Sequence, residues 1–146
     1  MKFEIHIFND TECKPIPKAK MRRVIENVLQ GEQWRGKPIL SASVSVILVD
    51  DAKIHAMNNE FLHHDYPTDI ITFPLEDEVL DGELYISLDT AARQAKEYGV
   101  SLTNELMRLV AHGTLHLVGY DDATDQQRKE MSRLEDNYIQ LSLLRQ

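Results

Sequence analysis

Residues 111–122 read Ala111-His112-Gly113-Thr114-Leu115-His116-Leu117-Val118-Gly119-Tyr120-Asp121-Asp122, and the interpretation of this stretch decides the rest. It closes an apolar run whose spacing predicts a helix over residues 101–118, stopped by Gly119. Residues four apart on a helix lie one turn apart on the same face, so His112 and His116 can aim two imidazole nitrogens at one point. Gly119 lacks a Cβ and tolerates positive φ, so the chain can turn back there. Asp122, ten residues after His112, is then brought beside the pair. Two imidazoles and a carboxylate are a zinc donor set, and three protein ligands leave the fourth position to water, as in catalytic zinc sites. Two histidines one turn apart are commonplace by themselves. The glycine and the carboxylate at fixed spacing turn the pair into a candidate metal site with ligands His112, His116 and Asp122. Asp121, next door, is an alternative third ligand or a group that orients one of the histidines.

Working outward, residues 2–8 alternate as a strand does. Pro17 stands where a helix can begin without losing a hydrogen bond, and Met21, Val24, Ile25, Val28 and Leu29 follow at helical spacing up to Gly31. Residues 42–48 alternate again. Asp51 is placed to cap a short helix carrying Ile54, Met57 and Phe61. Residues 63–68 are a polar loop, residues 69–75 and 84–88 read as strands, and the acidic stretch 76–82 as the connection between them. Helices are expected over residues 89–98 and 101–118, and from Thr124, where Gln127 three residues on completes a capping box. The predicted fold is one α+β domain over residues 1–146. A small mixed four-stranded sheet is packed by helices, one of them a zincin-like metal helix.

The composition is that of a soluble globular domain: 146 residues, 42% hydrophobic, 27% charged, 7% aromatic. Disorder, collagen and disulfide scaffolds are excluded by the apolar content, six glycines and one cysteine. Cys13 has no partner, which suggests a reducing compartment, and no stretch reaches the roughly 20 apolar residues of a membrane span, so the cytoplasm is expected. The net charge of −8 argues at first against a polyanionic partner. Its distribution is uneven, however. Residues 1–40 carry eight basic and five acidic residues, while residues 41–146 carry eight and nineteen.

His, then His four on, Gly three on and a ligand three on is also metzincin spacing, in which the peptidase general base is a Glu directly after the first His. Here that position is Gly113. A peptide or amide hydrolase is therefore the weaker reading of the site.

Residues 112–121 resemble the C-terminal signature of the YbeY family of metal-dependent endoribonucleases, which mature ribosomal RNA. Met57-Asn58-Asn59-Glu60-Phe61-Leu62, the run from Thr68 through Asp69, Ile70, Ile71, Thr72 and Phe73 to Pro74, and Gly82-Glu83-Leu84-Tyr85-Ile86-Ser87 are similar to further segments of that family, in its order and spacing. The resemblance implies zinc-dependent cleavage of single-stranded RNA, in particular near the 3′ end of small-subunit ribosomal RNA. It also implies the small ribosomal subunit as partner, His112 and His116 as catalytic residues, and Thr68, Asp69 and Thr72 beside the substrate. Attack on phosphorus by water or by a 2′-hydroxyl both remain open. There are two departures. Asp122 stands where the family has a third His, and Leu62 where it has a phosphate-binding Arg, whose contact Leu cannot make. His63 and His64 are candidate substitutes, Glu83 replaces a family Asp, and the basic residues 14–23 are the expected RNA-facing side. A non-cleaving ribosome-assembly factor with a structural metal is the main alternative.

Overall fold

The structure is a computed structural model that describes residues 1–12 and 15–144. Cys13 and Lys14, on which part of the redox and charge reading falls, lie outside the described residues. In chain order the elements are β1 (Lys2–Asn9), α1 (Lys18–Gly31), β2 (Gln33–Trp34), β3 (Lys37–Pro38), β4 (Ser41–Val49) and α2 (Asp51–Leu62). They continue with β5 (Ile70–Pro74), β6 (Asp81–Ser87), α3 (Leu88–Tyr98), α4 (Leu102–Leu117) and α5 (Asp125–Leu144). The main sheet runs β1-β4-β6-β5; β1, β4 and β6 are parallel, and β5 is antiparallel on the β6 edge. This is the expected α+β architecture with a mixed four-stranded sheet.

Alternation divides the sheet into two unlike faces. Val44, Val46 and Leu48 of β4 and Leu84 and Ile86 of β6 are fully buried. They pack with Val24, Ile25 and Leu29 of α1 and Leu106 and Val110 of α4. Each such aliphatic side chain contributes about 1.5–3 kcal/mol. On the opposite face α2 sets Ile54 and Met57 against Val49 and Ile71, with Ile47 and Tyr85 beside them. α5 closes a third cluster, in which Met131, Leu134 and Tyr138 meet Val28 and Leu115.

Helix α4 lies unusually close to the sheet. A Cβ on Gly113 would stand 2.8 Å from Leu84 Cδ2 and 2.9 Å from Ile70 Cδ1. This close approach seats α4 over β5 and β6 and fixes which helix face looks outward. Its N-terminus is capped by Ser101, which accepts from the Asn104 N–H at 3.0 Å. The capping box at α5 forms as read, Thr124 accepting from Gln127 N at 3.1 Å and Gln127 accepting from Thr124 N at 3.0 Å.

Several local expectations differ. The cap of α2 is Asp50, which accepts from Lys53 N at 2.8 Å. Asp51 instead accepts from Ser87 and Thr90, at 2.6 and 2.7 Å, and pairs with Arg93 at 2.8 Å. Phe61 is 54% exposed and touches Phe73 edge-on. Strand β6 begins at Asp81, inside the stretch expected to be a loop, because Ser43 of β4 and the β5 strand supply it with partners on both sides. The short β2–β3 hairpin has no counterpart in the sequence pattern.

Candidate active site

The last turn of α4 and the reversal after it build the site. Gly119 has φ +118, and its N–H bonds His116 O at 3.1 Å while Tyr120 N bonds Leu115 O at 3.0 Å. The chain turns back over the helix end as a result. Tyr120 O then reaches His116 Nδ1 at 2.8 Å, and Asp122 follows against both imidazoles. The turn is pinned from outside by Glu32 at the end of α1, which accepts from the hydroxyls of Tyr120, at 2.7 Å, and Tyr138. Glu32 and burial push the Tyr120 phenol up to about 12, so it is a neutral donor.

The three expected ligands converge. His112 Nε2 and His116 Nε2 are 3.0 Å apart, and Asp122 Oδ2 lies 3.3 and 3.4 Å from them. With ligand distances of about 2.0–2.1 Å and tetrahedral angles, donors around zinc stand about 3.3 Å apart. The protons of the rings support the same conclusion. Tyr120 O can only accept, so His116 carries its proton on Nδ1; Glu135 Oε2, 2.7 Å from His112 Nδ1, holds that ring the same way. Both Nε2 lone pairs therefore face one point beside a carboxylate, an arrangement that repels itself unless a cation lies between. His112, His116 and Asp122 could hold a metal ion. Burial disfavours a charged His112 ring, but Glu135, Asp122 and Asp69 outweigh it and its pKa is raised, so proton and metal compete for one position. Asp121 takes no part in the cluster.

Glu135 joins the site from outside the motif. It is 5% exposed and also receives Arg108 at 3.1 Å, which bonds Asp136 at 2.6 Å. A carboxylate behind a ligating histidine fixes the ring and raises its basicity. Sequence reasoning missed it, although a signal exists: Met131, Glu135 and Ile139 follow one another four apart, an acid within an apolar stripe.

The donors sit in a cleft of about 680 Å3, whose walls include Thr68, Asp69 and Thr72. Asp69 is near Thr68 Oγ1 and Gln94 Nε2, each at 3.4 Å, and its carbonyl accepts from Ser87 N at 2.9 Å. Buried Asn58 donates to Tyr66 O at 2.9 Å and so holds the loop that carries Thr68 and Asp69. Leu62 lines the cleft; His63 and His64 do not, and His64 stacks on Tyr66 instead. Glu83 accepts from the Tyr85 hydroxyl at 3.3 Å. The described basic residues of the 14–23 run are also absent from the cleft walls. Arg22 and Arg23 bond the carbonyls of Ile5 and Ser142. The side chain that a peptidase would place at 113 has no room against Leu84 and Ile70.

Known proteins resemble this chain over most of its length. The family profile described as Endoribonuclease YbeY matches residues 6–142. An Endoribonuclease YbeY of Chloroherpeton thalassium is 41% identical over 134 residues, covering 91% of this chain and 92% of its own. That of Chlorobaculum tepidum is 41% identical over 136 residues, covering 92% and 95%. The solution structure of a Thermotoga maritima protein superposes with a TM-score of 0.65 at 30% identity, covering 94% of this chain and 88% of that one.

Proposed function

This chain belongs to the YbeY family of endoribonucleases, enzymes acting on RNA, and we propose that its cleft cleaves single-stranded RNA with the help of one zinc ion held by His112, His116 and Asp122. The observation that carries this reading is the convergence of three donor atoms within 3.4 Å, with both ring Nδ1 atoms already engaged. When bound, zinc there acidifies a water to a pKa of about 7 and offsets charge developing on a phosphoryl oxygen.

The chain's own residues do the rest. Glu135 and Tyr120 O keep the two imidazoles in the tautomer that ligates. The hydroxyls of Thr68 and Thr72 offer donors to a phosphate lying along the β5 side of the cleft. The Asp69 carboxylate, beside Gln94, offers an acceptor to a ribose hydroxyl. Ribosomal RNA is the inferred substrate, at the 3′ end of the small-subunit RNA, with the small ribosomal subunit as partner and the cytoplasm as the compartment which that partner implies.

The test is metal analysis of the purified protein together with cleavage of a labelled single-stranded RNA. One zinc per chain is expected. His112→Ala and His116→Ala should lose cutting by more than about 100-fold while the circular dichroism spectrum is kept. A cyclic phosphate on the product marks 2′-hydroxyl attack, and an ordinary phosphate end marks water. Variants that cut as well as the unaltered protein would sink the reading.

A further inference from the structure

The cleft is a poor host for a polyanion. Asp69, Glu76, Asp77, Asp81 and Asp122 all line it, and Arg35 is the one Lys or Arg among its described lining residues. Leu62, which offers a phosphate no donor, lines the same cleft. We propose that Arg35, at the tip of the β2–β3 hairpin, is the phosphate anchor of this enzyme, binding a backbone phosphate of the RNA in the cleft that His112, His116 and Asp122 also line. The proposal rests on the RNA-cleaving reading above.

Three observations carry it. Trp34 pairs with Lys37 across the hairpin, so Arg35 and Gly36 form a two-residue turn, with φ of 54° and 78°. Positive φ at both positions is what such a turn needs, and Gly, Asn or Asp meet that need more easily than Arg. An arginine kept in a left-handed conformation on a cleft wall points to use of its side chain. Second, the Arg35 Cζ lies 4.3 Å over the Trp34 ring, and Trp34 packs in turn on the main core. The guanidinium is thus oriented by a cation–π contact on one face, which leaves its N–H edge for a ligand. Third, no acceptor among the described residues takes that edge, although carboxylates are abundant in the cleft. A planar fork of donors, held in place and unneutralised, matches two oxygens of a phosphodiester.

The experiment is steady-state cleavage of a single-stranded RNA oligonucleotide across a salt series, with Arg35→Asn and Arg35→Lys beside the unaltered protein. Asn accepts the backbone conformation, so Arg35→Asn should unfold at the same temperature as the unaltered protein or higher. Its KM should rise about tenfold with kcat changed less than about threefold. Its log–log salt dependence should flatten by about 0.7, the loss of one phosphate contact on a single strand. Arg35→Lys should keep the salt slope and recover only part of the affinity. Metal content should match the unaltered protein in both. An unchanged KM and slope in Arg35→Asn would overturn the assignment while leaving the RNA reading intact. A fall in unfolding temperature together with affinity would make Arg35 a structural residue of the hairpin and also overturn it. If the unaltered protein cuts no single-stranded RNA, the underlying reading fails first.

Discussion

Glu135 Oε2 stands 2.7 Å from Nδ1 of His112, across 23 residues of sequence, and ties the first ring of the candidate metal site to α5. Without that acceptor the imidazole could turn or carry its proton on the nitrogen that must ligate. Glu135→Ala should therefore weaken zinc binding by about 10–100-fold. Glu135→Gln, which keeps an acceptor oxygen, should lose less. Arg108 stays partnered by Asp136 in both variants, so the fold has a way to absorb the change. Competition against a chromophoric chelator measures the affinities. Equal affinities in all three proteins would reduce Glu135 to a partner of Arg108.

Asp122 is brought to the imidazoles by the chain reversal, its carbonyl accepting from Arg128 at 3.2 Å, and its side chain is 44% exposed. Asp122→Ala leaves two imidazoles, too few for a closed three-ligand set, and metal content should fall from about one ion per chain toward zero after gel filtration. Asp122→His offers a nitrogen donor at the same place and should restore the ion. Because it removes one negative charge from the site, the restored metal should be a stronger Lewis acid. Retention of a full complement of zinc by Asp122→Ala would show that another group completes the set.

What can be read from the sequence is local. The two histidines, Gly119 and Asp122 lie within one helix turn and its reversal, so spacing alone brings them together. The sheet follows from alternation in residues 2–8 and 42–48. Contacts across the fold leave weaker traces. Glu135 meets His112 only once α5 packs on α4. The turn at Arg35 is hidden because two-residue strands show no period and arginine is not a turn residue. Adjacent aspartates at 50 and 51 can each cap a helix, and the tertiary bonds of Asp51 to Ser87, Thr90 and Arg93 decide between them. The basic side chains of α1 suggest an RNA-facing surface by charge alone, but Arg22 and Arg23 are turned toward backbone carbonyls.

Gly113 tests the seating of α4. An alanine gains about 1 kcal/mol in helix propensity, against an overpacking cost of about 1–3 kcal/mol where its Cβ meets Leu84 and Ile70. Both neighbours are side-chain ends, but Leu84 is fully buried and has little room to yield. Gly113→Ala should be less stable by up to about 2 kcal/mol in urea unfolding. Gly113→Glu should be worse still, since it drives a charge into the sheet, and it should gain no peptidase activity. A Gly113→Ala variant more stable than the parent would mean that the helix stands further off than 2.8 Å implies.

Glu105 gives the stability of the protein a pH dependence of known sign. It is 2% exposed, one carboxyl oxygen has no hydrogen-bond partner among the described residues, and burial pushes its pKa up to about 7. Arg108 opposes this rise, and Asp69 and Glu135 add to it. The folded protein thus keeps a proton that the unfolded chain releases near its ordinary value of 4.5. A raised acid contributes stability that is complete below the unfolded pKa and is lost as pH rises toward the folded one. Glu105→Gln, neutral at every pH, escapes that loss. It should differ little from the parent at pH 4.5 and be more stable by about 2–3 kcal/mol at pH 8, since a tenfold change in proton affinity corresponds to about 1.4 kcal/mol. Urea titrations of the two proteins at both pH values measure the difference directly. If their stabilities run parallel, Glu105 is ionised in the fold and a cation must lie against it.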